Sequence, residues 1–565
     1  MPDSRGAGAR ALRLSNGMQS VTSAIAGRLA GNWDFIVPLL FLAFIRIPYV
    51  APNTTFVPSH DTFLHVEIFH YFYQEYCLHD EIPLWEPYHV YGTPTDFDFF
   101  GALTLCQYFF AALGRAFGII DALHLYICSL LLEELIFLIG VYLLARHLFQ
   151  YKFIVAIVCL AAIGTNFWAC QIHFNFRIFS LLPYLLLMLF RFVDNRSPTF
   201  LTGAGYFMIL MMIGNTTYFV PIYVLITAII LITALSAADG TRQLSVRRFF
   251  QPFPLILLSL LVCLVFLYYD MLDNMFGYVE PLARERLSDG SVTLQDYLTY
   301  ECYFDPLSFL GFLYPYDYHF DSWIYLGPVF CIFAIYGLIR CWSDCRCRAC
   351  ACVSLLFILL SFPKSTFVPA LLYYVLPTME YYRHLEHARP IAKLLFFFVA
   401  GYGMEYSLQK RDAHSIFWIS FGLIGVVLAA DIFVLDETVP YMSLQGLVND
   451  PGFHYLGMIG AVVFCCILWP YVCREGPRGI GLSVALLVFL MASYQWVLFV
   501  SYPIHVSETG STVDFFDETI VRDPKRLKEL KAPFTVSEYE YQEQRLNMDT
   551  VNEILARKAP LVQKV

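Results

Sequence analysis

The chain has 565 residues, of which 58% are hydrophobic, 17% aromatic and only 15% charged, with a formal net charge of −10. A basic stripe is the mark of a nucleic-acid-binding protein, and the acidic balance therefore gives no reason to expect nucleic acid as a partner. The hydrophobic residues fall in repeated runs of roughly 17 to 25, the length that crosses a bilayer as a helix. We therefore predict an all-α, polytopic membrane protein whose spanning segments are helices.

Residues 1–32 carry an excess of arginine and precede the first hydrophobic run, Trp33 to Val50. No small-residue cleavage site follows that run, which indicates an uncleaved first span rather than a signal peptide. Basic flanks remain in the cytoplasm. We expect a cytoplasmic N-terminus, an integral membrane domain over 33–500 in the inner or plasma membrane, and a short polar extracytoplasmic tail over 501–565.

About thirteen spans are predicted in all, their ends uncertain by several residues. After the first, they are placed near 122–145, 152–170, 177–193, 200–214, 217–236, 254–270, 323–340, 350–363, 389–408, 415–435, 455–473 and 479–500. With this count, the arginine-rich and lysine-rich loops fall on one side, as the positive-inside rule requires. The agreement holds only if the run 99–118 is a re-entrant or interfacial helix that closes the first outside loop, 51–121.

That loop contains the stretch Ser59 to Gly101, which is dense in carboxylates, histidines and aromatic rings and has no lysine or arginine. From Asp61 onward, hydrophobic residues recur every three or four positions, which predicts an amphipathic helix at the membrane interface. Asp61 could cap this helix or act in catalysis. His65 lies one turn further on the same face, where it could share a proton or a metal ion with Asp61.

The next segment, Ile82 to Thr95, has three prolines and a glycine, which favour turns, among Trp85, Tyr88 and Tyr91. Flat aromatic faces beside carboxylates suit a sugar, whose C–H faces stack on the rings. Tryptophan and tyrosine are also routine at membrane interfaces. Composition alone leaves both interpretations open.

A second polar group lies in the outside loop Thr378 to Pro390, where Arg383, His387 and Arg389 are interspersed with glutamates. Arginine can bind phosphate oxygens through two parallel donors, so these residues could hold a phosphate at headgroup depth. The alternative is that the charges pair with the neighbouring glutamates or with lipid.

Two further features are open to more than one interpretation. Glu133 and Glu134 fall near the middle of a predicted span, where a carboxylate is costly and a functional role is the default hypothesis; they favour a proton-coupled transporter. The cysteine-rich sequence from Cys341 to Cys352 could be a juxtamembrane turn, an acylation site or a metal site, but its spacing matches no standard zinc pattern.

The order of these segments resembles the YfhO-like bacterial membrane proteins, which are similar to the GT-C class of polyprenyl-phosphate-sugar glycosyltransferases. The resemblance rests on SHDT, IPLWEPYHVYGTPTDF and the helix from Phe99, followed by WIYLGPVFCIFAIYGLI and YYRHLEHARPIAKLLFFFVAGYGMEY. It covers most of residues 33–410. It implies a GT-C-like fold and an inverting transfer of sugar from a polyprenyl-phosphate donor to an envelope polymer, lipid or protein.

The resemblance also implies roles for particular residues. Asp61 would be the catalytic base or a metal-binding carboxylate, and Arg383 and Arg389 would face the donor phosphate. The set expected to contact substrate is His65, Trp85, Glu86, Tyr88, Tyr91, Arg383, His387 and Arg389. The cofactor is undetermined; a divalent cation, Mg²⁺ or Mn²⁺, could be held by Asp61 with Asp96 or Asp98.

Two departures from the family pattern keep other functions open. Glu86 stands where the family has asparagine, and the short tail after Ser501 replaces the large soluble region of longer members. The alternatives to a transferase are a proton-coupled lipid or sugar transporter and a non-catalytic membrane subunit.

Overall fold

The structure is a computed structural model that describes part of the chain. The described residues are 32–50, 61–79, 85–86, 93–94, 103–119, 122–164, 178–195, 197–212, 220–236, 293–299, 312, 326–363, 366–376, 379, 385, 389–433, 460–461, 463–476, 480–481 and 483–488. Predictions for the spans near 254–270 and 479–500, and for the tail from 501, lie wholly or largely outside these residues.

The described residues are almost entirely helical. The helices are α1 (Trp33–Val50), α2 (Asp61–His79), α3 (Leu105–Phe117), α4 (Ala122–Leu148), α5 (Lys152–Gly164), α6 (Leu182–Asn195), α7 (Pro198–Met212), α8 (Val220–Ser236), α9 (Leu294–Thr299), α10 (Pro328–Arg340), α11 (Cys345–Leu360), α12 (Val368–Val375), α13 (Arg389–Lys410), α14 (Ala413–Phe433) and α15 (Trp469–Glu475). A 3₁₀ turn, Ile178–Leu181, precedes α6, and a π-helical turn, Val463–Leu468, precedes α15. Two short strands, β1 (Trp85–Glu86) and β2 (Thr93–Pro94), pair antiparallel with Trp85 opposite Pro94.

Helices occupy the positions predicted for most of the spans, but the count of thirteen is not confirmed. Within the described residues, α4 and α13 are long and hydrophobic enough to cross a membrane, by length and composition. Several other apolar helices are shorter; α5 and α10 have 13 residues each. Thirteen residues rise only about 20 Å, less than the roughly 30 Å of a bilayer core.

The main bundle is built around α13, which packs against α5, α10 and α11. Glycines allow α10 and α13 to approach closely. A Cβ atom on Gly337 would lie 2.5 Å from the carbonyl oxygen of Val399, and one on Gly403 would overlap the carbonyl oxygen of Phe333. Small residues at such contacts are typical of helices packed in lipid, where dispersion contacts replace the hydrophobic drive.

At one end of the main bundle, charged side chains near the ends of the helices form ion pairs. Arg146 lies 3.6 Å from Asp34, and the Asp194 carboxylate lies 2.9 Å from His147 and 3.6 Å from Arg346. Similar contacts join Arg340 to Asp412. The arginines of these pairs belong to the basic segments that the sequence analysis placed on one side; the orientation of that side stays a prediction. We call the opposite end, where α13 begins, the outer end, after the predicted topology; the side of the membrane that it faces stays a prediction.

Large hydrophobic side chains also cover the outside of the bundle. The side chains of Leu40 and Phe44 on α1 are 64% and 59% exposed, and those of Leu355 and Phe421 are exposed to a similar degree. Exposed apolar faces of this extent mark surfaces that contact a partner or a membrane. Their position on otherwise well-packed helices fits lipid-facing surfaces.

A second, smaller core joins α2, α3 and the start of α4; we call it the outer cluster. Its buried side chains are Ile68, Phe69, Tyr71, Phe72, Tyr73, Leu103, Ala111, Ala122, Leu125 and Tyr126. The helix predicted from Asp61 is therefore present. Phe69 and Tyr73 of the predicted stripe are buried as expected.

Helix α3 corresponds to the predicted re-entrant or interfacial segment. It is too short to span a bilayer, and it begins with a capping box formed by Thr104 and Gln107. The helix ends at Gly118, whose φ of 65° is the left-handed conformation that glycine adopts without strain. Leu105, Phe109 and Phe117 are exposed, whereas Gln107 is buried, so the apolar face of α3 points away from the protein.

The cysteine-rich segment is not simply a turn. Only residues 341–344 form the turn, and Cys345 begins α11. The reason is Asp344, whose carboxylate caps α11 by accepting from the backbone N–H groups of Arg346 at 2.8 Å and Cys347 at 3.3 Å. Cys347 and Cys350 are fully buried in the bundle, which accounts for them as packing residues.

Candidate functional site: a buried basic pair at the outer end

Two cationic side chains are buried where α13 begins. Arg389 is 1% exposed and Lys393 is 6% exposed, and their spacing of four residues places them on one face of the helix. We call them the basic pair. Arg389 donates from Nη2 to the carbonyl oxygen of Ser361 at 3.1 Å, and its guanidinium carbon lies 5.7 Å from the centre of the Phe362 ring.

The sequence explains why α13 begins at this point. Pro390 occupies the first turn, where its missing N–H costs nothing and its fixed φ favours the helix. The helix then continues through 22 residues to Lys410. Its N-terminus therefore lies beside the basic pair, and the helix dipole adds to the positive potential there.

Lys393 also lines a small cavity between α13 and its neighbours. The other lining residues are Phe137, Ala162, Phe179, Leu182, Pro390, Leu394 and Phe397. The cavity holds about 20 Å³, which is room for roughly one water molecule. The lining is apolar apart from Lys393.

This arrangement has a clear chemical preference. Two buried cations beside a helix N-terminus favour an anion, such as a phosphate, a sulfate or a carboxylate. Lys393 was not among the residues selected from the sequence. A lysine four residues after Arg389, inside a predicted span, is the signal that could have identified it.

The other predicted site residues are only partly described. Asp61 is the first residue of α2 and His65 lies one turn further on, while Trp85 and Glu86 form β1; the description of these four residues covers their backbone. Tyr88, Tyr91, Asp96, Asp98, Arg383 and His387 lie outside the described residues. Of the predicted set, Arg389 is the residue whose side-chain environment the structure describes.

The two mid-span glutamates contact different helices. Glu134 accepts from Arg46 of α1, with 2.6 Å between Nε and Oε2 and a second contact from Nη2 to Oε1. Glu133 accepts from the hydroxyl of Thr104 at the start of α3. Arg46 and Thr104 were missed in the sequence, although an arginine inside the first span is a signal that should prompt a search for its partner.

The described side chains form no site for a divalent metal ion. No group of three or more histidine, cysteine, aspartate or glutamate residues that could hold a metal ion occurs among them. The predicted ligands Asp61, Asp96 and Asp98 fall outside that set of side chains, so metal binding by them stays a prediction.

The described residues thus define an α-helical bundle with helices of membrane-spanning length and a buried basic pair at one end. No family model matches the sequence, and no curated protein matches it. Among solved structures, the chain is similar to the crystal structure of ArnT from Cupriavidus metallidurans bound to undecaprenyl phosphate. The two chains are 13% identical, with a TM-score of 0.46, and the match covers 84% of this chain and 79% of that chain. Membership of the YfhO-like family stays a prediction.

Proposed function

We propose that this protein is an integral membrane glycosyltransferase that moves a sugar from a polyprenyl-phosphate donor to an acceptor on the extracytoplasmic face. The observation that carries the proposal is the buried basic pair, Arg389 and Lys393, at the start of α13. Arginine and lysine side chains beside a helix N-terminus are groups with which proteins bind phosphate. In this proposal the donor phosphate binds beside the basic pair.

In the proposed reaction, Asp61 acts as general base and takes the proton of the acceptor hydroxyl. The acceptor oxygen forms a bond to the anomeric carbon while the bond from that carbon to the phosphate oxygen breaks, which inverts the configuration. The leaving lipid phosphate retains the electron pair. Arg389, Lys393 and Arg383 stabilise the negative charge that develops on it.

The remaining predicted residues position the substrates. Trp85, Tyr88 and Tyr91 offer aromatic faces to the sugar, and His65, Glu86 and His387 complete the set that contacts substrate. If the reaction requires Mg²⁺ or Mn²⁺, Asp61 with Asp96 or Asp98 would hold it, since hard cations take oxygen ligands.

A proton-coupled transporter is the alternative, and it depends on Glu133 and Glu134. Each of these carboxylates contacts another helix, Glu133 through Thr104 and Glu134 through Arg46. These contacts give a structural reason for carboxylates inside a span. These contacts therefore weaken the main argument for transport. A non-catalytic subunit, the other alternative, would need neither the glutamates nor the basic pair for chemistry.

The test is a transfer assay with the full-length protein in lipid. Radiolabelled polyprenyl-phosphate hexose or N-acetylhexosamine is supplied with a crude envelope acceptor. We expect labelling by the wild type and a loss of about 100-fold or more in Asp61→Asn, because general-base catalysis contributes on that order. We expect Arg389→Gln and Lys393→Met to lower transfer about 10-fold or more by weakening charge stabilisation.

Matched controls carry the same chemical changes at the opposite end of the bundle. Asp412→Asn, Arg340→Gln and Lys152→Met should retain transfer within about 2-fold, since surface charges there contribute little. Equal labelling in wild type and Asp61→Asn would remove Asp61 from the mechanism. Proton-driven flux that requires Glu133 and Glu134, with no transfer from any donor, would establish the transporter instead.

A further inference from the structure

Hydrogen bonds link three buried side chains at the start of α3. Thr104 donates its hydroxyl to Glu133 and accepts from the backbone N–H of Gln107 at 3.4 Å, while the Gln107 side-chain oxygen accepts from the backbone N–H of Thr104 at 2.7 Å. Thr104, Gln107 and Glu133 are 7%, 0% and 3% exposed. Because the bonds are shielded from water, breaking one would leave a buried polar group without its partner.

Glu134, the residue after Glu133 on α4, contacts a different helix. Consecutive residues of a helix point about 100° apart, so Glu133 and Glu134 reach different neighbours. Glu134 binds Arg46 of α1, whereas Glu133 binds Thr104 of α3. Helix α4 is therefore a fixed support between the first span and the outer cluster.

The other end of α3 is attached as well. Tyr73 of α2 donates its hydroxyl to the carbonyl oxygen of Ile119, just beyond Gly118. Phe72 and Tyr108 meet edge to face with ring centroids 5.2 Å apart, and the Arg115 guanidinium lies 4.5 Å from the Tyr76 ring centre. Helices α2 and α3 thus form one unit, and Thr104 ties that unit to α4.

The two helices flank residues 80–102 in the sequence, where Trp85, Glu86, Tyr88 and Tyr91 lie. We infer that Glu133 and Thr104 are positioning residues: their hydrogen bond fixes the start of α3, and with it the unit of α2 and α3, against α4. The role in transfer rests on the proposed function, but the structural role does not. In this inference, Glu133 acts as a hydrogen-bond acceptor and not as a proton carrier.

Hydrogen exchange measured by mass spectrometry on the full-length protein in lipid nanodiscs tests the structural role. In Thr104→Val, which keeps the shape and removes the hydroxyl, we expect amides in residues 105–110 to exchange about 10-fold faster, because losing a cap and a buried partner costs on that order. Thr104→Ser restores the hydroxyl and should stay within about 2-fold of the wild type. Unchanged exchange in Thr104→Val would overturn the inference.

A second pair of variants separates anchoring from proton transfer. Glu133→Gln keeps an acceptor oxygen and should preserve protection of residues 105–110, whereas Glu133→Leu should lose it. Ser129→Ala is the matched control, since Ser129 is a buried hydroxyl on the same helix that donates to the Tyr126 carbonyl at 2.6 Å within α4. If amides 105–110 exchange as fast in Glu133→Gln as in Glu133→Leu, the hydrogen bond from Thr104 to Glu133 does not anchor α3.

The same variants are then compared in the transfer assay. Thr104→Val should raise the acceptor KM and lower kcat/KM about 10-fold, as expected when a positioning contact is lost, and Thr104→Ser should restore both. Loss of protection with unchanged transfer kinetics would overturn the positioning role and leave α3 anchoring intact. Because exchange needs no substrate, failure of the proposed glycosyltransferase function would show as wild-type inactivity with the exchange pattern preserved.

Discussion

The main bundle and the outer cluster are held together in different ways. In the bundle, α10 and α13 approach so closely at Gly337 and Gly403 that a single added methyl group would meet backbone. In the outer cluster, aromatic rings fill the space between α2 and α3, and directed polar contacts such as that of Thr104 with Glu133 set the register.

The difference indicates which changes each region tolerates. Packing spread over many apolar contacts absorbs the loss of one polar group but not an added volume at a close helix crossing. A small core with a few hydrogen bonds has the opposite sensitivity.

The largest effect should come from overfilling the bundle. In Gly403→Val the new side chain would overlap the Phe333 carbonyl, forcing α10 and α13 apart, and we expect a loss of about 3 kcal/mol or more in stability. Thermal unfolding in detergent would show a large drop in Tm. The control is Gly422→Ala on α14, where an added Cβ meets nothing within 4 Å. A comparable drop in Tm in this control would show that any substitution of a helix glycine lowers stability, whether or not it lies where α10 and α13 approach closely.

The junction between the two regions should be nearly as sensitive. Arg46→Met leaves Glu134 buried without its arginine, which typically costs about 3 to 5 kcal/mol. The double variant Arg46→Met with Glu134→Leu removes both charges and should recover most of the lost stability. Equal destabilisation in the single and double variants would mean that shape rather than charge compensation decides this contact.

A smaller and local effect is expected inside the outer cluster. Tyr73→Phe removes the hydroxyl that binds the Ile119 carbonyl, at a cost of about 1 to 2 kcal/mol. Hydrogen exchange should increase over α2 and α3 while α13 stays protected. Tyr206→Phe, at a tyrosine that is 49% exposed, serves as the control and should change neither region.

The smallest effect should be a pH dependence at the end of the bundle opposite the outer cluster. Burial tends to raise the pKa of Asp412, but hydrogen bonds from Ser415 and Tyr336 and the charge of Arg340 outweigh it and hold the pKa below its usual range. A lowered folded-state pKa stabilises the protein above the unfolded value near 4, and this contribution is lost as pH falls through the folded value. The free energy of unfolding of Asp412→Asn should therefore fall less below pH 4 than that of the wild type, by about 0.5 to 1 kcal/mol. Tm measured against pH would show this as a shallower decrease, and an unchanged decrease would contradict the prediction.

Several features could be predicted from single segments. The three- and four-residue spacing after Asp61 predicted α2, and the short run 99–118 predicted a helix that does not span, which is α3. Arg389 was selected as a phosphate contact from its place before an apolar span. The two helix predictions are confirmed, because helix periodicity and run length are local properties. The phosphate contact of Arg389 stays a prediction.

Other features depended on segments far apart in the sequence. The sequence marks Lys393 and Arg46 only as charges inside predicted spans and gives no such signal for Thr104. The importance of all three residues follows from what they meet in space. Arg46 and Glu134 are separated by 88 residues, so no window along the chain contains both. For the cysteine-rich segment, the turn was one of three interpretations, and none of them included the helix that Asp344 caps from Cys345 onward.

The sequence by itself determined the helical class, the approximate positions of most spans and the loop in which ionisable and aromatic residues concentrate, because hydrophobicity and run length govern which segments become helices. Only the tertiary structure decided that the two glutamates of α4 serve different neighbours, that Arg389 and Lys393 are buried together, and that α3 presents its apolar face outward. Burial and partnership arise from helix packing, and packing depends on the shapes of surfaces that are brought together only when the chain folds.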